Sequence, residues 1–321
     1  MLLFFLKLNC ACAQNSFNSF FSVPAKSHQI VELKATLKHF GLQGKVKKMQ
    51  LYQDTVLLNT NVFDESGNLL TQYIYPTTDN NFLQVKKCIY KKKGQLVKIK
   101  HYEINGKSKN LKGISTVLYE GDKIIEHAFE DKKGNGDTRQ SYYYNQDGLI
   151  VKKEFQEKRF LIKYISQYSY TTDKQIHQIL ELECSNNGSC DSIHRHILDY
   201  NNEGQLVKHQ HYKKPLSKNR FTATFYRYNE EGLLSYFLGD DAHYYFKYNQ
   251  DQDLIKFTKK GMENKTILYS YDQHHNLIQT QTINVYSPIE DEDFVIDRNP
   301  NVFYVGIKKS LLQYKIEYYE N

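Results

Sequence analysis

The chain repeats one short local pattern nine times, and this repeat constrains its fold more than any other feature. An aromatic residue is followed four positions later by Gly or a polar residue, and six positions later by Leu or Ile. We call this seven-residue unit the frame and number its positions from 0 at the ring to 6 at the aliphatic residue. Recurrence every 20 to 30 residues or so indicates a modular fold built by stacking. The nine ring and aliphatic pairs are Phe63 and Leu69, Tyr90 and Leu96, Tyr119 and Ile125, Tyr144 and Ile150, Tyr170 and Ile176, Tyr200 and Leu206, Tyr228 and Leu234, Tyr248 and Leu254, and Tyr271 and Leu277.

The turn chemistry of the frame predicts a β-hairpin. In the clearest copy, Asn201 opens a four-residue turn and Gly204 stands where the backbone needs a positive φ, which is typical of a type I turn with a G1 bulge. This geometry makes Tyr200 and Leu206 a cross-strand pair on one face of the sheet. Five frames carry Gly at position 4. The other four must adopt a left-handed residue there or turn differently; they carry Lys123, Lys174, Gln252 and His275.

The segments on either side of each turn predict strands. Two residues before the ring, eight of the nine frames are apolar, so the incoming strand has one buried face. The outgoing strand carries apolar residues on both parities, as in Leu254 and Ile255. Either both faces are covered there, or a bulge flips the register. We predict an all-β fold: a long antiparallel meander of hairpin repeats forming a wide twisted or spiralling sheet, with at most a short N-terminal helix within residues 26–40.

The N-terminus predicts export. Ala11 and Ala13 flank Cys12 before Gln14, which fits the small-x-small pattern of signal peptidase. We predict a signal peptide over residues 1–13, an N-terminal segment over 14–40 and a repeat domain over 41–321. Beyond residue 13 no stretch is apolar enough to cross a bilayer. We therefore expect an exported protein in the periplasm, at the cell surface or secreted, and not a membrane-spanning one.

Two cysteines fit the same frame and support export. Cys184 and Cys190 occupy positions 0 and 6 of a tenth copy, with Gly188 at position 4. Directly opposed residues of this kind bring their Cα atoms to about 4.5 Å, within reach of a disulfide. We predict this disulfide, which forms in an oxidising compartment, over a redox or metal site. Cys88 lies at a core-facing position and is predicted to be a buried free thiol.

Histidine pairs on one predicted hairpin raise the question of a metal site. His194 and His196 precede its turn, and His209 and His211 follow it. A regular register through Tyr200 and Leu206 places His196 opposite Gln210, so the four rings do not converge unless a bulge intervenes. We predict no metal site and no cofactor. The usual catalytic motifs are missing, so we predict no catalytic residues, and a hydrolase with carboxylates in a groove is the least favoured function.

Charge and tyrosine content bear on partners. The net charge of +7 comes with Lys pairs scattered along every repeat, which we interpret as solvated strand faces; we expect no nucleic-acid partner. Tyr recurs at the ring position and two residues before it, where a core requires it, and we interpret the 27 Tyr as mostly structural, with the outward rings Tyr143 and Tyr245 as candidate ligand contacts. We predict a non-enzymatic binding or envelope scaffold module, with a glycan or an envelope protein as partner. The alternative is a glycan-binding module that uses exposed Tyr.

The frame resembles the YD repeats of RHS-type bacterial proteins. The copies that keep the Asp after the ring are Phe63 to Leu69 and Tyr271 to Leu277, and the resemblance covers residues 60–280. It implies hairpin strips laid side by side in a wide spiralling sheet, which in some members closes into a hollow shell that holds a toxin domain. Within that group, this chain is similar to the small exported repeat proteins.

Overall fold

The computed structural model describes residues 36–77, 81–91, 94–133, 137–158, 160, 162–213, 221–239, 242–261, 263–286 and 306–320. The predicted signal peptide and most of the predicted helical region lie outside these residues. Within them, Leu37–Phe40 forms one turn of 3-10 helix. The strands are β1 (Val46–Gln53), β2 (Val56–Phe63), β3 (Leu69–Ile74), β4 (Leu83–Tyr90), β5 (Leu96–Asn105), β6 (Ser108–Glu120), β7 (Lys123–Asp131), β8 (Thr138–Tyr144), β9 (Ile150–Glu157), β10 (Ile162–Tyr170), β11 (Ile176–Ser185), β12 (Cys190–Tyr200), β13 (Leu206–Lys213), β14 (Phe221–Tyr228), β15 (Leu234–Leu238), β16 (Ala242–Tyr248), β17 (Leu254–Gly261), β18 (Glu263–Tyr271), β19 (Leu277–Tyr286) and β20 (Gly306–Tyr318).

The frame forms the predicted hairpin. Tyr200 pairs with Leu206, and the amide of Gly204, at φ +75°, donates to the carbonyl of Asn201. Eight of the nine predicted ring and aliphatic pairs are confirmed as cross-strand partners. The left-handed conformation predicted at position 4 is also confirmed where Gly is replaced, at Lys174, Gln252 and His275.

The third frame turns differently. Tyr119 pairs with Ile124, so the prediction of Ile125 was wrong by one residue. Glu120 pairs directly with Lys123 across a tighter turn, in which Gly121 takes the positive φ of 61°. Lys123 therefore starts the outgoing strand and has no need of a left-handed backbone. A two-residue loop that begins with Gly satisfies the same hairpin with one residue fewer.

Every one of the nine frames carries a bulge at the base of its turn. The strand register shifts by one residue between the ring and the residue before it, as between Asp199 and Tyr200. In that hairpin Leu206 pairs with Tyr200 and Lys208 pairs with Asp199, so Val207 is the extra residue. A bulge exchanges the faces of all later residues on its strand. This settles the ambiguity of the outgoing strands in favour of a flipped register.

The sheet is a closed barrel, so the predicted open twisted or spiralling sheet was wrong. Each strand pairs antiparallel with its neighbours in sequence, and β20 pairs with both β19 and β1. On β20, Leu312 lies opposite Thr280 of β19, and Ile316 lies opposite Met49 of β1. The 13-residue β20 thus covers the two strands that would otherwise be edges. Unpaired edges expose backbone donors and acceptors, and closure removes them.

The buried residues form three clusters on one face of the sheet, the face that carries the frame rings. We call it the frame face. The position two residues before the ring is buried in seven of the nine frames, for example at Leu198 and Tyr226. The largest cluster of buried residues spans β14 to β20 and β1 to β3, and smaller ones lie on β5 and β6 and on β8 to β12. The prediction that these positions face a core is confirmed.

A series of tyrosine hydroxyls links consecutive frames, and we call it the Tyr ladder. In seven frames, the hydroxyl of the Tyr at position 0 donates a hydrogen bond to the backbone carbonyl of the aliphatic residue that pairs with the ring in the preceding frame. The bonds run from Tyr90 to Leu69, Tyr144 to Ile124, Tyr170 to Ile150, Tyr200 to Ile176, Tyr228 to Leu206, Tyr248 to Leu234 and Tyr271 to Leu254. Each ring therefore satisfies its polar tip while its body packs in the core.

In the part of the chain that the structure describes, no helix is long and apolar enough to cross a membrane.

Candidate functional site

All nine frame turns lie at one end of the barrel, which we call the frame end. Each frame joins an even-numbered strand to the following odd-numbered one, and antiparallel neighbours alternate in direction. The hairpin that joins β11 to β12, with Cys184 and Cys190, therefore lies at the opposite end. The frame end therefore gathers polar turn residues from the whole circumference of the barrel.

A cavity of about 1320 Å³ lies at the frame end. Its wall comes from four successive hairpins and carries carboxylates, amides, hydroxyls and two frame rings. The lining residues that offer polar groups include Asp122, Thr171, Thr172, Asp173, Lys174, Asn202 and Glu203, and the frame rings are Tyr144 and Tyr200. The ladder bonds of the two rings, 2.7 Å each to Ile124 and Ile176, fix those rings in place. The cavity thus combines rigid aromatic walls with exposed polar groups of both charges.

The side chain at frame position 5 contacts the next frame turn at Gln95, Gln175, Gln205 and Asp253, and we call these contacts latches. Gln95 Nε2 donates to the carbonyl of Gly121 at 3.0 Å, and Gln205 Nε2 donates to that of Gly232 at 3.3 Å. Inside the cavity wall, Gln175 Nε2 donates to the carbonyl of Gly204 at 2.6 Å. The latches stabilise the spacing of neighbouring turns, and hence the shape of the cavity.

The latch at Asp253 pairs its carboxylate with a histidine, and both are residue types that can bind metal ions. His275 Nδ1 lies 2.8 Å from Asp253 Oδ2, and Asp251 brings a third ligand atom within 4.8 Å of these. The hydrogen bond to Asp253 raises the pKa of His275. Asp253 also accepts from the Asn249 side chain of its own turn. The contact occupies the place of a latch between adjacent turns, and we interpret it as one.

The predicted disulfide is present. Cys184 and Cys190 are bonded, with their Cα atoms 4.0 Å apart. Cys88 is a free thiol and is half-buried. Burial raises the pKa of Cys88 to about 11, which keeps it as an unreactive thiol at neutral pH.

The four histidines of the β12–β13 hairpin converge on the frame face, because the bulge at Val207 changes the register. His196 lies opposite His211, and His209 lies opposite Leu198, so the pairing of His196 with Gln210 was wrong. His196 Nδ1 lies 3.0 Å from His209 Nε2, and His194 Nδ1 lies 3.1 Å from His211 Nε2. The rings of His196 and His211 stack between these pairs, with centroids 4.4 Å apart. We call this group the His cluster.

Two members of the His cluster, His196 and His209, are neutral at physiological pH. Burial lowers the pKa of His196 to about 3, and neighbouring His rings add to the effect. Burial also lowers the pKa of His209 to about 4. The register places Ile179 and Glu181 of β11 beside the cluster on one side, and Thr222 and Thr224 of β14 on the other. Neutral imidazoles with one carboxylate nearby present nitrogen lone pairs and not positive charge.

The two candidate ligand contacts lie on separate arcs of the wall. Tyr143 is 42% exposed, but Lys152 Nζ stands 3.9 Å over its ring and its hydroxyl donates to Glu154. Tyr245 is 40% exposed and lies 5.3 Å from the ring of Tyr236, at an interplanar angle of 52°. Tyr143 and Tyr245 do not form one platform. Lys260 Nζ lies 5.6 Å from the ring centroid of Tyr245, and both tyrosines remain predictions as ligand contacts.

Comparisons with known proteins assign no family. No family model matches the chain, and no curated protein matches it. A porin-like protein from Bacteroides uniformis aligns over 85% of this chain and 96% of its own length, at 12% identity and a TM-score of 0.37. A porin-like protein from Bacteroides vulgatus covers 86% of this chain and 99% of its own, at 10% identity and a TM-score of 0.30. The structure of TcdB2-TccC3-Cdc42 matches 75% of this chain with 17% of its own length, at 13% identity and a TM-score of 0.34. Likenesses with TM-scores below 0.5 carry no argument about this chain.

The latches could have been predicted from the residue types at frame position 5. Frame position 5 is Gln, Asn or Asp in six of the nine frames, a bias that a hairpin alone does not require. The ladder had a weaker signal in the choice of Tyr over Phe in eight of nine frames, since only Tyr offers a hydroxyl.

Proposed function

We propose that this chain is an exported, non-enzymatic binding barrel that holds a polar ligand in the cavity at its frame end. The observation that carries the proposal is the cavity itself, in which two ring walls meet exposed carboxylates, amides and hydroxyls. Small-molecule sites commonly combine aromatic side chains with a few placed polar groups in this way. The Cys184–Cys190 disulfide supports export, because such bonds persist in oxidising compartments. From the resemblance of the frame to YD repeats, we also propose that the chain is a small YD-repeat protein of the RHS type.

The frame repeat supplies a matched test. Asp173 and Glu203 occupy position 3 of their frames and line the cavity, whereas Glu231 and Asp251 occupy position 3 outside it. We expect the wild-type chain to bind on a glycan array, and the double variant Asp173→Ala/Glu203→Ala to lose at least tenfold in affinity. The control Glu231→Ala/Asp251→Ala should bind like the wild type. Equal loss in both double variants would show that the cavity is not the site.

A second candidate is a glycan platform on the face opposite the frame face. The exposed ring of Tyr245 beside the half-buried ring of Tyr236 favours it, with the hydroxyl of Tyr236 held 2.9 Å from His243 Nδ1. Tyr245→Ala should abolish array binding if this platform is the site, while Tyr143→Ala should leave it unchanged. Array signals that survive both the cavity variant and Tyr245→Ala would contradict both locations. No binding to any glycan would leave the scaffold role and remove the glycan ligand.

A further inference from the structure

The outside of the barrel is strongly cationic over strands β13 to β17. The face opposite the frame face is the outer one, because the buried clusters occupy the inside of a closed wall. These five strands contain no Asp and no Glu. Their register places five cations on the outer face, and we call them the cation patch: Lys208, Arg227, Lys247, Lys256 and Lys260.

The charges of the cation patch are not neutralised by carboxylates of the wall. Within the described residues none of the five cations forms an ion pair, whereas Lys152 and Lys163, farther round the outer face, both bind Glu154. Asp199 of β12 lies opposite Lys208 at the border of the patch. Lys247 and Lys256 are direct cross-strand partners. Such a like-charge pair costs stability, and an anion lying over it would offset that cost.

Aromatic rings lie among the cations. Phe225 is 45% exposed and Tyr245 is 40% exposed. The guanidinium of Arg227 lies 5.5 Å from the ring centroid of Tyr236, and Lys260 Nζ lies 5.6 Å from that of Tyr245, so each cation is held beside a ring. Exposed apolar surface bordered by charge marks an interaction site. A sugar with a carboxylate or sulfate group offers an apolar ring face to the aromatics and an anion to the cations.

We propose that the cation patch binds an acidic polysaccharide, a flexible chain that carries uronate or sulfate groups. The patch crosses five strands, about 19 Å at about 4.8 Å per strand spacing, so a small anion meets only part of it. Four strand steps are a fifth of the closed circumference, and the outermost cations therefore point in different directions. A flexible chain follows such a curved wall, whereas a flat bilayer meets only part of it.

This inference rests on the export in the proposed function and names a ligand class for its second candidate, the glycan platform. It is independent of the frame-end cavity. The Cys184–Cys190 disulfide favours a polysaccharide over a nucleic acid, because it indicates a compartment outside the cytosol. The competing explanation is that the cations only keep the outer face soluble.

Binding of the full chain to dextran sulfate, polygalacturonate and uncharged dextran separates these explanations. We expect the wild type to bind both acidic polymers, with an affinity that falls as salt is raised, and not to bind dextran. The variant Lys247→Gln/Lys256→Gln should bind dextran sulfate about tenfold more weakly. The matched control Lys152→Gln/Lys163→Gln removes the same charge from the same face and should bind within about twofold of the wild type.

A ring variant distinguishes a defined site from a region of positive charge. Phe225→Ala/Tyr245→Ala keeps every charge and should weaken binding to dextran sulfate about fivefold. Tyr143→Ala removes a ring that is 42% exposed elsewhere on the wall and should bind like the wild type. The cavity variant Asp173→Ala/Glu203→Ala should keep its binding to both acidic polymers, whatever it binds on a glycan array. Circular dichroism confirms that each variant is folded.

The proposal fails if neither acidic polymer binds, or if the cation variant and its matched control lose affinity equally. Dextran bound as tightly as dextran sulfate would leave a glycan platform and reject the acidic class. Array binding that depends on Tyr245, without binding to the acidic polymers, would do the same. Tighter binding to single-stranded DNA, or to vesicles of equal parts phosphatidylglycerol and phosphatidylcholine, would overturn the proposal in favour of another anionic partner.

Discussion

Removing three hydroxyls of the Tyr ladder should lower the free energy of unfolding of the barrel, because three buried hydrogen bonds are lost. The change is the triple variant Tyr200→Phe/Tyr228→Phe/Tyr248→Phe, which keeps each ring and deletes only its donor. The lost bonds are 2.7 Å to Ile176, 2.9 Å to Leu206 and 2.9 Å to Leu234. Burial raises the pKa of Tyr228 to about 12, which reflects how far its hydroxyl is removed from water.

The magnitude follows from the worth of a buried hydrogen bond. Each deletion costs about 0.5 to 1.5 kcal/mol, so the triple variant should lose about 2 to 4 kcal/mol in free energy of unfolding. The assay is urea denaturation followed by circular dichroism at equilibrium, since the chain has no Trp. Tyr245→Phe is the control, because its ring is 40% exposed, and it should stay within about 0.5 kcal/mol of the wild type. A triple variant no less stable than this control would refute the ladder as a stabilising element.

Three further predictions test the core, the disulfide and the His cluster. Leu198→Ala, at a fully buried site, should cost about 2 to 5 kcal/mol in urea denaturation, and a cost below about 1 kcal/mol would contradict the packing seen there. Cys184→Ser/Cys190→Ser opens a loop of sequence separation 6 and should lose about 2 kcal/mol, whereas reductant should destabilise only the wild type. Burial holds the pKa of His196 near 3 and that of His209 near 4, below the 6.5 of an unfolded His, so the unfolded chain takes up protons first on acidification. Stability should therefore fall from about pH 6.5 towards pH 4, and His209→Gln should flatten that fall by up to about 2 kcal/mol; an unchanged slope would count against neutral rings in the cluster.

The hairpins could be predicted from sequence because their information is local. In the Tyr200 frame, Asn201 and Gly204 define the turn, and the turn defines the pair. The third frame failed because Gly121 stands two residues after the ring, where a tighter turn uses it. Placing that Gly in the turn would have moved the partner to Ile124.

The His cluster could not be predicted without the register of the outgoing strand. A shift of one residue decides whether His209 and His211 face His196 or the opposite side. The sequence around Val207 fits both registers, since Leu206 and Val207 are both apolar. Closure was missed for another reason. The pairing of Met49 with Ile316 joins distant parts of the chain, and no turn chemistry specifies it.

Closure also restricts how a barrel of this kind can change in size. An antiparallel ring returns to its starting direction only with an even number of strands, and the residues that the structure describes form twenty. Loss of a single strand would leave two parallel neighbours at the seam, where β1 now meets β20. Loss or gain of a whole hairpin, as one frame with its two strands, preserves the alternation. A barrel that keeps all its neighbours antiparallel can therefore change its circumference only in steps of two strands, by gain or loss of a complete repeat.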